Sequence, residues 1–115
     1  MSSDAAEPWL DNVVVAEDDA ITIWYSGKAW SGIRWDQVET VTVDVDPYVS
    51  GPRPCEGFWM ISGGDRCLRV YMRMAGVGEL NRRLAALPGF DHAALRRALE
   101  AEAACRGGEF LCWKR

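Results

Sequence analysis

The chain has 115 residues, 49% of them apolar and 26% charged, and a formal net charge of −4. That balance fits one globular domain with a single core, and no apolar run approaches the ~20 residues that span a bilayer. The opening stretch, MSSDAAEPWLDN, is acidic and lacks the apolar run of a signal peptide, so a cytoplasmic location is expected.

Residues 1–12 read as a flexible arm with Trp9 as its one anchor, and residues 13–115 as a single domain. Val13–Val15 form a first strand and Glu17-Asp18-Asp19 the turn after it. Ile21, Ile23 and Tyr25 then line one face of the return strand. SGKAWSG, residues 26–32, reads as a loop flanked by glycines. IRWDQVETVTVDVD carries the clearest strand pattern, with Val41, Val43 and Val45 alternating with Thr40, Thr42 and Asp44. PYVSGPRPCEG holds three of the five prolines and must be a loop. FWMIS-GGD-RCLRVYMRM is a second hairpin, turning at Gly63-Gly64-Asp65. Leu68, Val70, Met72 and Met74 share one face of its return strand, and Cys67, Arg69, Tyr71 and Arg73 the other.

The period then changes from two to that of a helix. Val77, Leu80, Leu84 and Leu87 form a helical stripe, and Glu79 precedes Arg83 by four residues, the favourable order for an ion pair. Pro88-Gly89 ends that helix and Asp91 caps the next, with Phe90 and Leu95 at the spacing of a hydrophobic staple. Leu95, Ala98, Leu99 and Ala103 face inward, and Gly107-Gly108 stops the helix. The tail, EFLCWKR, returns to strand character, and so apolar a strand must join the sheet or pair with another chain. The expected fold class is α+β: an antiparallel sheet of about five to seven strands, two late helices and a final short strand.

The four cysteines, at 55, 67, 105 and 112, include no CxxC pair, and His92 is the single histidine. Free thiols buried as small hydrophobes are expected, with no metal site and no cofactor. His92 follows a helix cap, far along the helix from Cys105, so the two do not make a nucleophile and base. The carboxylate pairs Asp18/Asp19 and Asp44/Asp46 read as solvated. Residues 1–65 carry 12 acidic and 3 basic side chains (−9), and residues 66–115 carry 5 and 10 (+5). The plain reading is that these halves pair with each other and solvate the surface.

Three stretches carry a resemblance. IRWDQVETVTV resembles the lead into a central strand of bacterial pleckstrin-homology-like domains, and FWMISGGDRCLRV resembles the hairpin that follows it there. LPGFD…FLCWKR is similar to the ending of a group of small uncharacterised bacterial proteins. The resemblance implies a bent half-barrel of seven strands capped by one C-terminal helix, whereas this chain offers two helices and a strand after them. Lipid-binding members carry basic residues in the first hairpin, where this chain has Glu17-Asp18-Asp19.

The expected function is therefore a small non-enzymatic protein-binding module. Candidate partner-binding residues are Trp24, Trp30 and Trp35, taken as one aromatic cluster, with Tyr48, Arg69, Tyr71 and Trp113. A homodimer through the C-terminal strand is a further expectation; a membrane or nucleic-acid partner is not. Two alternatives stand beside it: an immunity- or adaptor-type protein acting through the acidic half, and a thiol-dependent enzyme built on the cysteines.

Overall fold

The structure, a computed structural model, describes residues 12–47 and 55–115. Chain order gives β1 (Asn12–Ala16), β2 (Ala20–Tyr25), β3 (Lys28–Arg34), a 3-10 turn (Trp35–Gln37), β4 (Thr40–Asp46), β5 (Glu56–Gly63), β6 (Arg66–Tyr71), α1 (Val77–Ala85), α2 (His92–Ala103) and β7 (Gly108–Lys114). The fold is α+β. Two open antiparallel sheets, β1-β2-β3 and β6-β5-β4-β7, form a half-barrel, with both helices late in the chain and β7 returning to pair with β4. None of the helices described is long and apolar enough to cross a membrane.

The alternation seen in sequence sets the faces. Val41, Val43, Trp59, Ile61, Leu68 and Val70 point from the larger sheet into a core that they share with Val14, Ile21, Ile23 and Ile33 of the smaller one. Leu80 and Leu84 enter it from α1, and Ala94 and Ala98 from α2. The buried stripe of α2 is Ala94, Ala98 and Ala101, whereas Leu99 is 46% exposed. Small side chains let the helix axis approach β7 and β4 closely, and that closeness turns the larger Leu99 to the rim. Asp91 caps α2 as expected, accepting from the Ala94 amide at 3.0 Å. The helix stops earlier than Gly107, because Cys105 takes a left-handed φ of 56°. Arg106 N–H then donates to Ala101 O and Cys105 N–H to Glu102 O, the paired bonds of a Schellman ending.

Two segments depart from expectation. SGKAWSG is not a loop: Ser26 and Gly27, both at positive φ, make a tight turn, and Lys28–Arg34 is strand β3. Conversely, IRWDQVETVTVDVD is not one strand. The 3-10 turn at Trp35–Gln37 separates β3 from β4, held by Arg34 N–H donating to Gln37 Oε1 at 3.1 Å. That turn crosses the end of β5 so closely that a Cβ on Gly63 would overlap the Gln37 carbonyl oxygen and lie 2.7 Å from its carbon. Gly63→Ala is therefore expected to cost about 1–3 kcal/mol in urea unfolding. Gly64→Ala, with a φ of 59° but open space around it, costs about 1 kcal/mol.

The expectation of four free thiols is overturned. Cys55 and Cys105 form a disulfide with a Cα–Cα distance of 5.5 Å, joining the residue before β5 to the end of α2; Cys67 and Cys112 are free. Beside the bridge, Gly57 N–H donates to Glu102 Oε2 at 2.9 Å. The fold brings two cysteines 50 residues apart into bonding range, and no local spacing signals such a pair.

Candidate functional site

The two sheets leave β3 and β6 as facing edges. At one end they are pinched together by the Arg66 guanidinium, which donates to Gly32 O at 3.3 Å. Away from that pinch they part into a groove of about 560 Å³, lined by Asn12, Ile23, Trp30, Ser31, Cys67, Leu68, Arg69, Tyr71 and Met74. Ile23, Leu68 and Met74 are core residues and supply an apolar floor.

Trp30 owes its position to an irregular register. Ser31 opposes Ile23 and Ala29 opposes Trp24, so Trp30 is an extra residue with no partner across β2. A bulge of this kind re-aims a side chain, and Trp30 is 68% exposed at the groove wall. On the other wall the β5–β6 register sets Phe58, Tyr71 and Arg69 on one face. The Tyr71 ring lies 5.6 Å from Phe58, and the Arg69 guanidinium sits 4.6 Å above Phe58. That stacking holds Arg69 in place, and its charge also reaches Asp44.

The β6 backbone also faces the groove. Met72 N–H donates to Gly57 O, which fixes the alternation of the ladder. Val70 and Leu68 direct their amides to β5, so Cys67 and Arg69 direct theirs away from it, toward β3. Asn12 Oδ1 has no hydrogen-bond partner among the described residues.

Of the seven residues expected to bind a partner, the groove unites Trp30, Arg69 and Tyr71. The tryptophans do not form one cluster: the pleat puts Trp24, opposite Val13, on the outer face of the smaller sheet. Trp35 and Trp113 lie at a separate corner of about 390 Å³ with Asp18, Arg83, Pro88 and Arg115. Tyr48 lies outside the described residues.

At that corner the polar groups are committed within the chain. Trp35 Nε1–H donates to Glu17 O at 2.7 Å and Trp113 Nε1–H to Pro88 O at 2.8 Å. Arg115 donates to Val38 O and Trp35 O, and its guanidinium lies 5.5 Å from the Trp113 ring. Arg83 donates to Asp18 and Glu79, and Arg82 and Arg83 together hold the Glu79 carboxyl down at about 2. These bonds tie the 3-10 turn, β7 and the helix–helix connection together. LPGFD thus separates two helices and also clasps β7, because Asp91 N–H donates to Cys112 O at 2.7 Å.

Asn12, Ser31, Cys67 and Met74 are not among the expected partner-binding residues. A strand pairing must be known before such residues can be gathered to one place. The helices do not cover the face bearing Arg69 and Tyr71; they pack on the opposite, valine-lined side. Nor is Asp44 simply solvated. Burial and the neighbouring Glu109 charge raise its pKa against the pull of Arg69, and one carboxylate oxygen is buried without a hydrogen-bond partner among the described residues.

The free thiols sit in unlike places. Cys112, the extra residue of a bulge against β4, is buried, and that burial pushes its thiol up to about 11. Cys67 is exposed and takes a 3.4 Å contact from Ser62 Oγ. A maleimide reagent applied to the native, unreduced chain is expected to modify one site, Cys67, with mass spectrometry locating it. A rate far above that of a model thiol would favour the thiol-dependent enzyme. His92 packs against Phe90 at 5.0 Å. Comparison with protein-family models, curated proteins and solved structures returned no match.

Proposed function

We propose that this chain is a non-enzymatic protein-binding module and that the groove between β3 and β6 receives its partner. One observation carries the reading: a strand irregularity turns a tryptophan outward at the mouth of a groove floored by core residues, opposite a stacked arginine and tyrosine. Exposed aromatic and arginine side chains around a concave apolar floor are the usual anchors of protein recognition. The corner at Trp35 and Trp113 supports the reading less, because its donors already serve the fold.

A homodimer through β7 has less support, since the Asp91 amide already occupies the Cys112 carbonyl. The acidic half is also partly spent within the chain. Arg83 pairs with Asp18 and Arg73 with Glu56, each joining the two halves. As to compartment, the Cys55–Cys105 bridge favours surroundings that keep dithiols oxidised over the reducing cytoplasm expected from the opening residues.

The test is an amide NMR titration of the full chain with peptides selected from a random displayed library. Shifts are expected to gather on Trp30, Ser31 and Cys67–Tyr71 and to vanish in Trp30→Ala. Because Trp30 is largely exposed, that variant keeps its fold. Shifts centred on Trp35 and Trp113 in their place would falsify the groove as the binding site.

A further inference from the structure

We infer that the groove's occupant is an extended, acidic segment of a partner protein, which adds to β6 as a new edge strand. The inference rests on the groove reading above and specifies its ligand.

Three observations converge. First, β6 is a sheet edge whose outward groups at Cys67 and Arg69 face the groove, as the Met72–Gly57 bond and the β5–β6 register require. An edge of this kind is completed most directly by another backbone. Second, a strand laid beside β6 shares its pleat. Its side chains point alternately toward Leu68 with the apolar floor and toward Arg69 and Tyr71 on the opposite face. Third, charge selects the polar half of that alternation. Among the described residues, Arg69 is the one charged residue lining the groove, and Arg66 stands at its closed end. A guanidinium held by stacking on Phe58 pairs with a carboxylate in good geometry. The segment therefore alternates apolar and acidic residues, and β6 from Cys67 to Tyr71 seats about five of them.

Single-stranded nucleic acid also favours aromatic and basic side chains together. It leaves the outward amides of β6 at Cys67 and Arg69 unpaired, however, which an added strand of protein does not.

The probe is an acetylated, amidated heptamer that alternates glutamate with valine and leucine, titrated by fluorescence anisotropy into the full chain. A control heptamer carries lysine at every glutamate position, and an oligothymidine octamer is the third ligand. The acidic heptamer is expected to bind at least tenfold more tightly than the lysine control and to weaken about tenfold in Arg69→Gln. On binding, hydrogen exchange at the Cys67 and Arg69 amides should slow. Equal binding of both heptamers overturns the acidic assignment and leaves the groove reading standing. Binding without protection of those two amides overturns strand addition, as does failure of both heptamers while library-selected peptides still shift Trp30. Preferential binding of the octamer overturns the protein segment itself.

Discussion

Trp59→Ala is expected to remove about 3–5 kcal/mol of stability, a large share of what holds a domain of this size together. Trp59 is 1% exposed and sits in the middle of the larger sheet, on the face turned to the core. Its ring lies 6.3 Å from Phe90, so the strand side chain meets the turn that opens α2. Its Nε1–H donates to Asn81 Oδ1 at 2.8 Å, which fastens α1 to the same residue. One side chain thus joins β5 to both helices. Trp59→Phe separates the two contributions: it retains most of the buried ring but leaves the Asn81 carbonyl without its donor. A loss of about 1–3 kcal/mol follows for that variant. Pairing it with Asn81→Ala in a double-mutant cycle isolates the hydrogen bond. Urea unfolding monitored by far-ultraviolet circular dichroism reads all three. If Trp59→Ala costs less than Trp30→Ala, the burial of Trp59 and the exposure of Trp30 have been assigned the wrong way round.

How legible such features are in sequence depends on the range of the interaction behind them. Val41, Val43 and Val45 announce their face because a strand alternates with period two, and all three are buried. Asp91 announces its cap because the bond it makes spans three residues. The second residue before Lys28 is different: Ser26 at positive φ is not the common choice for a tight turn, and the glycines at 27 and 32 make strand β3 look like a loop. Gly76, which opens α1 in a left-handed conformation with no side-chain cap, likewise gives no capping signal. The groove is a longer-range object still. Trp30 becomes a wall residue only through the bulge against β2, and it meets Arg69 only because both sheets end where they do. Strand alternation therefore sets Arg69 beside Tyr71, and aromatic content points to Trp30, but it groups Trp30 with Trp24 and Trp35, which the pleat and the 3-10 turn send elsewhere. The same holds for Leu99, where helical periodicity alone ranks leucine above the alanines that the close helix–sheet packing selects.

Breaking the Cys55–Cys105 bridge is expected to cost about 2–4 kcal/mol, chiefly by freeing the unfolded chain. The bridge closes a loop with a sequence separation of 50, and the loss of that closure constraint amounts to about 4 kcal/mol by the chain-entropy relation. The folded state loses less. Glu102 still accepts the Gly57 amide, and the Schellman bonds still end α2. Cys55→Ser should show the full effect. Cys105→Gly should show about 1 kcal/mol less, because glycine adopts the left-handed φ of 56° without the strain a side chain incurs there. Urea midpoints of the two variants, measured beside the parent with and without dithiothreitol, give the comparison. Reduction should lower the parent to the level of Cys55→Ser and leave both variants unchanged. Cys67→Ser serves as the control, since that thiol is exposed and unbridged. The same measurements bear on where the protein works. A domain that loses several kcal/mol on reduction operates at full stability only where its dithiols stay oxidised. Indifference to dithiothreitol would remove that argument.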